Sequence, residues 1–167
     1  MKFAHISDTH LGQRQYHLPS REQDVYDALK QAVNKSIEEK VDFVIFSGDI
    51  FNDKRPPNEA ILLLMQQVIL LKNNNIQSYF ILGDHDKPKE KANSIAWLYS
   101  MTDNSHYIGD GEPTKFKDVL IIGLDHHDEG KDRDALLEKF KEIDLLAKEH
   151  TGHKILVLHQ ALNDVHF

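Results

Sequence analysis

Apolar positions fall into short, near-continuous runs separated by stripes of helical period. Lys2 to Ser7 reads as a short buried strand and Asp42 to Ser47 as a second. Ile76 to Leu82, Val119 to Leu124 and Lys154 to Leu158 read as further strands, and a weaker one is expected near His106 to Ile108, paired with Val119 to Leu124. Between the first two strands, Val25, Ala28, Leu29, Ala32, Val33 and Ile37 form one apolar stripe. That helix opens at Pro19-Ser20, with Ser20 and Gln23 at capping-box spacing. Further helices are expected over Asn58 to Lys72, after the Pro56-Pro57 break, over Ala92 to Met101 and over Asp132 to Glu149. Strand-helix alternation predicts a largely parallel sheet with right-handed crossovers. Strands this apolar predict that both sheet faces are covered.

The helix from Asn58 carries more apolar surface than one face can use: Ile61, Leu62, Leu63, Leu64, Met65, Val68, Ile69, Leu70 and Leu71 leave little polar arc. Two readings stand. Either the helix is deeply buried, or it turns one face to the sheet and another to a partner subunit.

At 167 residues the chain fits one domain, and 28% charged with 40% hydrophobic residues fits a globular protein. No apolar run approaches the ~20 residues of a bilayer span, and no signal-peptide core precedes Asp8. The absence of cysteine excludes disulfides, thiolate zinc sites and cysteine nucleophiles. It fits a reducing, intracellular location such as the cytoplasm, and fits export poorly. A net charge of −7 disfavours a generic basic nucleic-acid binder, so any nucleic acid must be held by local basic patches or bound cations. Eleven histidines, in a chain without cysteine, are the natural metal ligands.

The chemistry gathers after the strands. Asp8-Thr9-His10 follows the first, Gly48-Asp49 the second, Gly83-Asp84-His85-Asp86 the third and His159 the last. In an open α/β sheet the carboxyl ends of parallel strands share one ligand-binding edge. Clustered carboxylates repel unless a cation joins them. Oxygen and imidazole donors suit Mn²⁺, Fe²⁺ or Zn²⁺ better than Ca²⁺. Asp8 and His10, two apart on an extended segment, are expected to point the same way and chelate one ion. Each piece alone has a bland reading as a turn or a cap. Their joint occurrence at four strand ends is what points to a metal site.

These residues resemble the calcineurin-like metallophosphoesterases, whose pattern is D-x-H, G-D, G-N-H-[DE], a His after a strand, then G-H-x-H. Asp8-Thr9-His10-Leu11-Gly12, Arg14-Gln15-Tyr16, Ser47-Gly48-Asp49-Ile50-Phe51 and Leu158-His159-Gln160 are similar to the SbcD-type nuclease branch. The resemblance implies an α/β sandwich with a largely parallel sheet and two metal ions, Mn²⁺ in this branch. Asp8 and His10 would hold the first ion, Asp49 would bridge, and Asp84 and His159 would hold the second. His85 would stabilise or protonate the reacting phosphate. Two ions about 4 Å apart can activate water and neutralise a phosphodiester. The resemblance also implies exonuclease and single-strand endonuclease action on DNA, a homodimer, and an SMC-like ATPase partner.

Two departures stand out. Asp84 replaces the family's usual Asn, adding a negative charge at the second ion. The G-H-x-H segment is missing, since the sequence ends at Phe167. The expectation is therefore an N-terminal part of the domain, C-terminally truncated, short of one ligand for each ion, holding fewer than two ions or none and weakly active or inactive, with no second domain.

Among basic residues near strand ends, Arg14, Lys54, Arg55, Lys87 and Lys89 are candidate DNA contacts, with solubilising charge as the bland alternative; Tyr16 either stacks on a base or packs its loop. Leu62, Met65, Ile69 and Leu98 are the candidate dimer surface. Asp125-His126-His127-Asp128 matches no ligand position of the family and reads as a solvated loop. The rival functions are a phosphatase or phosphodiesterase acting on nucleotides, and a non-catalytic dimerisation or ATPase-docking module.

Overall fold

The computed structural model describes residues 1–87, 94–127 and 129–160. Four strands, β1 (Phe3–Ile6), β2 (Phe43–Ser47), β3 (Gln77–Ile81) and β4 (Ser105–Tyr107), form one sheet in the order β1-β2-β3-β4. All its pairings are parallel. A second sheet has the order β5 (Thr114–Phe116), β6 (Val119–Leu124), β7 (His153–Leu158). There β5 and β6 form an antiparallel hairpin and β7 joins β6 in parallel.

Side-chain alternation in β2 builds the layers. Phe43 and Ile45 point to one face and, with Tyr79 and Ile81, meet Val119, Ile121 and Val157 of the second sheet. Val44 and Phe46 point to the other face, where Phe80 and Leu82 also pack. That face is covered by α1 (Pro19–Glu38), α2 (Asn58–Asn73) and a 3-10 segment, Ile95–Met101. The outer face of the second sheet, with Leu120, Ile122 and Leu124, packs on α3 (Glu129–Glu149) through Phe140 and Ile143. The result is a four-layer sandwich of helices, sheet, sheet and helix, as the resemblance implied.

Several local expectations are corrected. The first long helix begins at Pro19, with Leu18 as its cap, and makes no side-chain capping bond. Proline's fixed φ and missing N–H suit the first helical position, so Ser20 lies one residue too far in to cap. Ile95–Met101 is 3-10 rather than α-helical, started by Ser94, whose hydroxyl accepts from the Ala96 N–H at 3.2 Å. The strand near His106 pairs with β3, through Ser78↔Ser105 and Phe80↔Tyr107. Contact with β6 comes a few residues later, where the Gly111 N–H donates to the Gly123 carbonyl at 3.0 Å. Thr114–Phe116 is a strand that the hydrophobic pattern did not mark.

The deep-burial reading of α2 is corrected, because one of its faces is exposed. Ala60, Leu63, Leu64, Gln67, Val68 and Leu71 are buried, whereas Leu62 and Ile69 are exposed. Met65 is half-buried against the core. Exposed Leu98 and Met101 stand on the 3-10 segment that packs beside α2. No described helix is long and apolar enough to cross a membrane.

Away from the strand ends that carry the chemistry, Asp42 ties the sheets together. It accepts from the Lys2 backbone N–H at 2.9 Å and from Lys117 Nζ at 2.5 Å, joining β1 to the β5–β6 turn. Lys117 foremost, then the Lys2 N–H, hold the Asp42 carboxyl below its ordinary pKa. A depressed folded-state pKa stabilises the fold above the unfolded value, about 4, and that stabilisation is lost as pH falls through the folded value. Asp42→Asn is therefore expected to be less stable than wild type at neutral pH, with the two urea midpoints converging as pH falls below the ordinary carboxylate range. A gap unchanged from neutral to strongly acid pH refutes this.

Candidate metal centre

Backbone geometry gathers the strand-end residues. The Asp8 N–H donates to the Gly48 carbonyl at 3.2 Å and the His10 N–H to the Asp49 carbonyl at 3.0 Å, so the segments after β1 and β2 run side by side. His159, just past β7, donates Nδ1–H to the Ser47 carbonyl at 2.8 Å and so brings the second sheet to the same rim. Asp8 (φ 55°), His10 (φ 41°) and Asp49 (φ 49°) all occupy the left-handed region. Strain of this kind is held in place by surrounding structure and concentrates at functional sites.

Two donor groups emerge, each with its ligand atoms within 4.8 Å of one another: Asp8, Asp49 and His159, and His10, Asp49 and His85. Asp49 belongs to both. Asp8 and His10 thus stand in different groups, although their spacing predicted a joint chelate. Their positive φ values remove the extended geometry on which that expectation rested. His85 joins a donor group, where the resemblance gave it only a phosphate-facing role. Asp84 is exposed, with Oδ1 3.7 Å from His159 Nε2.

The donor set fits a divalent cation. Asp49 is 4% exposed, and among the described residues no lysine or arginine pairs with it. Its neighbours are imidazoles: Nε2 of His159 at 3.5 Å and Nε2 of His10 at 3.7 Å. These distances exceed hydrogen-bond length. A carbonyl oxygen only accepts, so His159 carries its proton on Nδ1 and, when neutral, turns a bare Nε2 lone pair toward Asp49. Metal-ligating histidines are oriented in this way, by a backbone carbonyl on the other ring nitrogen. His85 repeats it, with Nδ1 2.6 Å from the Asn52 carbonyl. That carbonyl raises the His85 pKa above the ordinary histidine value; Asp49, Asp84 and Asp53 add to the rise, and partial burial opposes it. The buried Nδ1 of His10 has no hydrogen-bond partner among the described residues.

Glycines make the close approach possible. A Cβ on Gly83 would lie 2.0 Å from Asp49 Oδ1, and one on Gly48 (φ +88°) would lie 2.6 Å from His159 Nδ1.

Two acidic residues that the sequence reading left without a role hold the rim. Asp86, buried, accepts from the Ile50 N–H at 3.1 Å, the Phe51 N–H at 3.0 Å and the Gly83 N–H at 3.0 Å, clamping the loop after β2 to the loop after β3. Burial pushes its pKa up, against the pull of those N–H groups. Asp125 overturns the solvated-loop expectation. It is buried and accepts from the Leu82 N–H and the Tyr107 hydroxyl, both at 2.8 Å. The signal for both was position, an acid at the end of a strand facing open backbone N–H groups.

The candidate DNA contacts divide. Lys54 and Arg55 line a cavity of about 520 Å³ together with Asn52, Asp53, Asp84 and His85. Tyr16 is 75% exposed, so it does not pack its loop. Arg14 instead binds the buried Glu22 carboxylate, at 2.9 and 2.7 Å. Lys87 donates to the His126 carbonyl at 2.6 Å. Lys89 lies outside the described residues.

Fold and donor groups together fit the class of metal-dependent phosphoesterases. Residues 1–166 match the calcineurin-like phosphoesterases, and the chain belongs to that family, which uses divalent metal. Over 169 residues it is 39% identical to the DNA double-strand break repair protein Mre11 of Methanocaldococcus jannaschii, covering 98% of this chain and 44% of the relative. Over 166 residues it is 37% identical to the protein of that name from Sulfurisphaera tokodaii, covering 98% and 42%. The Mre11 of Methanococcus maripaludis is 34% identical over 169 residues, covering 98% and 44%. The chain thus spans less than half the length of these relatives.

Asp86→Ala strands three buried N–H groups, each worth about 1–3 kcal/mol when unsatisfied. Urea denaturation is expected to show a loss of about 3 kcal/mol or more, and a loss under about 1 kcal/mol contradicts the clamp.

Proposed function

We propose that this chain is the N-terminal part of the nuclease domain of a DNA double-strand-break repair protein, a phosphodiesterase working with two Mn²⁺ ions. The observation that carries this reading is the sharing of Asp49 by two donor groups on one rim. Asp8, Asp49 and His159 would hold one ion, with Asp84 beside them; His10 and Asp49 would hold the other. Divalent ions in such a pair supply Lewis acidity and a water of lowered pKa. The chain's own groups do the rest. Asp49 brings the two positions together. Ser47 and Asn52 carbonyls fix the tautomers of His159 and His85. His85, with its raised pKa, donates a proton or hydrogen bond to the reacting phosphate. Lys54 and Arg55 hold neighbouring phosphates in the cavity beside it, and exposed Tyr16 offers a ring to an unpaired base.

The likeness to Mre11 proteins supports DNA ends as the substrate, with exonuclease action on duplexes and endonuclease action on single strands. The SbcD-type pattern belongs to the same reading, as does an SMC-like ATPase partner. Exposed Leu62, Ile69 and Leu98 beside half-buried Met65 form an apolar face on α2 and its neighbour that supports a homodimer.

Duplex DNA, single-stranded DNA, bis-p-nitrophenyl phosphate and nucleoside monophosphates, assayed side by side with Mn²⁺ on a protein of the relatives' length, test the substrate. Cleavage confined to the monophosphates refutes the nuclease reading. In the same protein Asp49→Ala is expected to abolish cleavage and lower metal occupancy together. Retention of more than a tenth of the activity, which is only about 1.4 kcal/mol in the barrier, refutes a bridging role. Paired Leu62→Glu and Ile69→Glu substitutions are expected to shift sedimentation from dimer to monomer; an unchanged dimer places the interface elsewhere.

A further inference from the structure

His126 matches no ligand position of the resemblance, yet it stands on the metal rim. It lines a cavity of about 430 Å³ with Asp8, Asp84, His159 and Gln160. Hydrogen bonds fix the segment that carries it, among them the Lys87 ammonium on the His126 carbonyl at 2.6 Å; Gln160 Nε2 also approaches His126 Nδ1, but only to 3.5 Å. The His126 backbone N–H donates to the Leu82 carbonyl at 2.9 Å, joining the end of β6 to the end of β3. Its Nδ1 lies 3.1 Å from the His159 carbonyl. Gln160 Nε2 returns a bond to the His127 carbonyl at 3.0 Å. The carbonyl partner decides the tautomer, since it can only accept: Nδ1 carries the proton. The cross-link between the two loops is therefore reciprocal, side chain to backbone in each direction, and the residue it grips is His159.

We propose that His126 is the positioning residue for His159, and that its Nδ1–H bond to the His159 carbonyl aims the His159 imidazole at Asp49 and Asp84. Without that bond the segment beyond β7 is held at this point by β7's own ladder, by the Gln160 bond to the His127 carbonyl and by the Ser47 carbonyl contact of the ring itself. The His126 bond fixes the backbone from which the ring projects. His126 is not a member of either donor group, so it acts one step behind the ions. The partner of the ring's other N–H, which typically accounts for 10–100-fold in metal affinity, is here the Ser47 carbonyl, and His126 holds the backbone that keeps the ring against it. The inference rests on the metal-site reading above, but not on the choice of DNA as substrate.

Two substitutions separate the hydrogen bond from the ring. An asparagine side-chain N–H₂ occupies nearly the place of the imidazole Nδ1–H, so His126→Asn keeps the donor and removes the rest of the ring. His126→Ala removes both. Calorimetric titration of a protein of the relatives' length with Mn²⁺ is expected to show one binding step at least about tenfold weaker in His126→Ala, with the other unchanged, and recovery in His126→Asn. Long-range ¹H–¹⁵N correlation in the metal-free chain adds a readout that loss of packing alone does not move. His159 is expected to be Nδ1-protonated in wild type and His126→Asn, and to lose that single tautomer in His126→Ala. Wild-type affinity in His126→Ala, or an Asn variant as weak as the Ala variant, overturns the proposal. A wild-type protein of the relatives' length that takes up no Mn²⁺ overturns the metal-site reading and this inference with it.

Discussion

A buried carboxylate without a basic partner is the constraint on which the rim is built. Asp49 sits in the left-handed region, beneath a glycine that leaves it no room to move, between imidazoles too distant to bond. Burial of an unpaired charge is unfavourable by several kcal/mol unless something compensates. The compensation available inside the chain is the His85 backbone N–H, 3.1 Å from Oδ1. Among the described residues no lysine or arginine pairs with Asp49, and this is the ground for proposing a cation there.

Supporting structure is correspondingly rigid. Asp86 and Asp125 hold the loops: Asp86 accepts from three backbone N–H groups, and Asp125 from the Leu82 N–H and the Tyr107 hydroxyl. In effect they replace the strand pairing that stops where the loops begin. Carboxylates suit this task because one side chain accepts several donors at once, and a donor left bare in the interior is costly.

How much of this was legible beforehand follows from the range of the interactions involved. β2 and β3 read clearly because both their faces are apolar, and α1 because its stripe is regular. The rim read clearly because parallel strands put their carboxyl ends together. The division of Asp8 and His10 into separate groups was hidden, since it depends on two positive φ values that no residue type announces. β5 was missed because Thr114–Phe116 is only three residues long and defined by its partner. The burial of Asp125 was hidden because it depends on Leu82 and Tyr107, far away in sequence.

The bond from His159 to the Ser47 carbonyl spans 112 positions of the chain. Parallel pairing already delays folding, because distant segments must meet before any contact rewards them. On a ribosome the first sheet can therefore assemble well before His159 has emerged. The rim is then completed late in the life of a new molecule, once β7 has paired with β6.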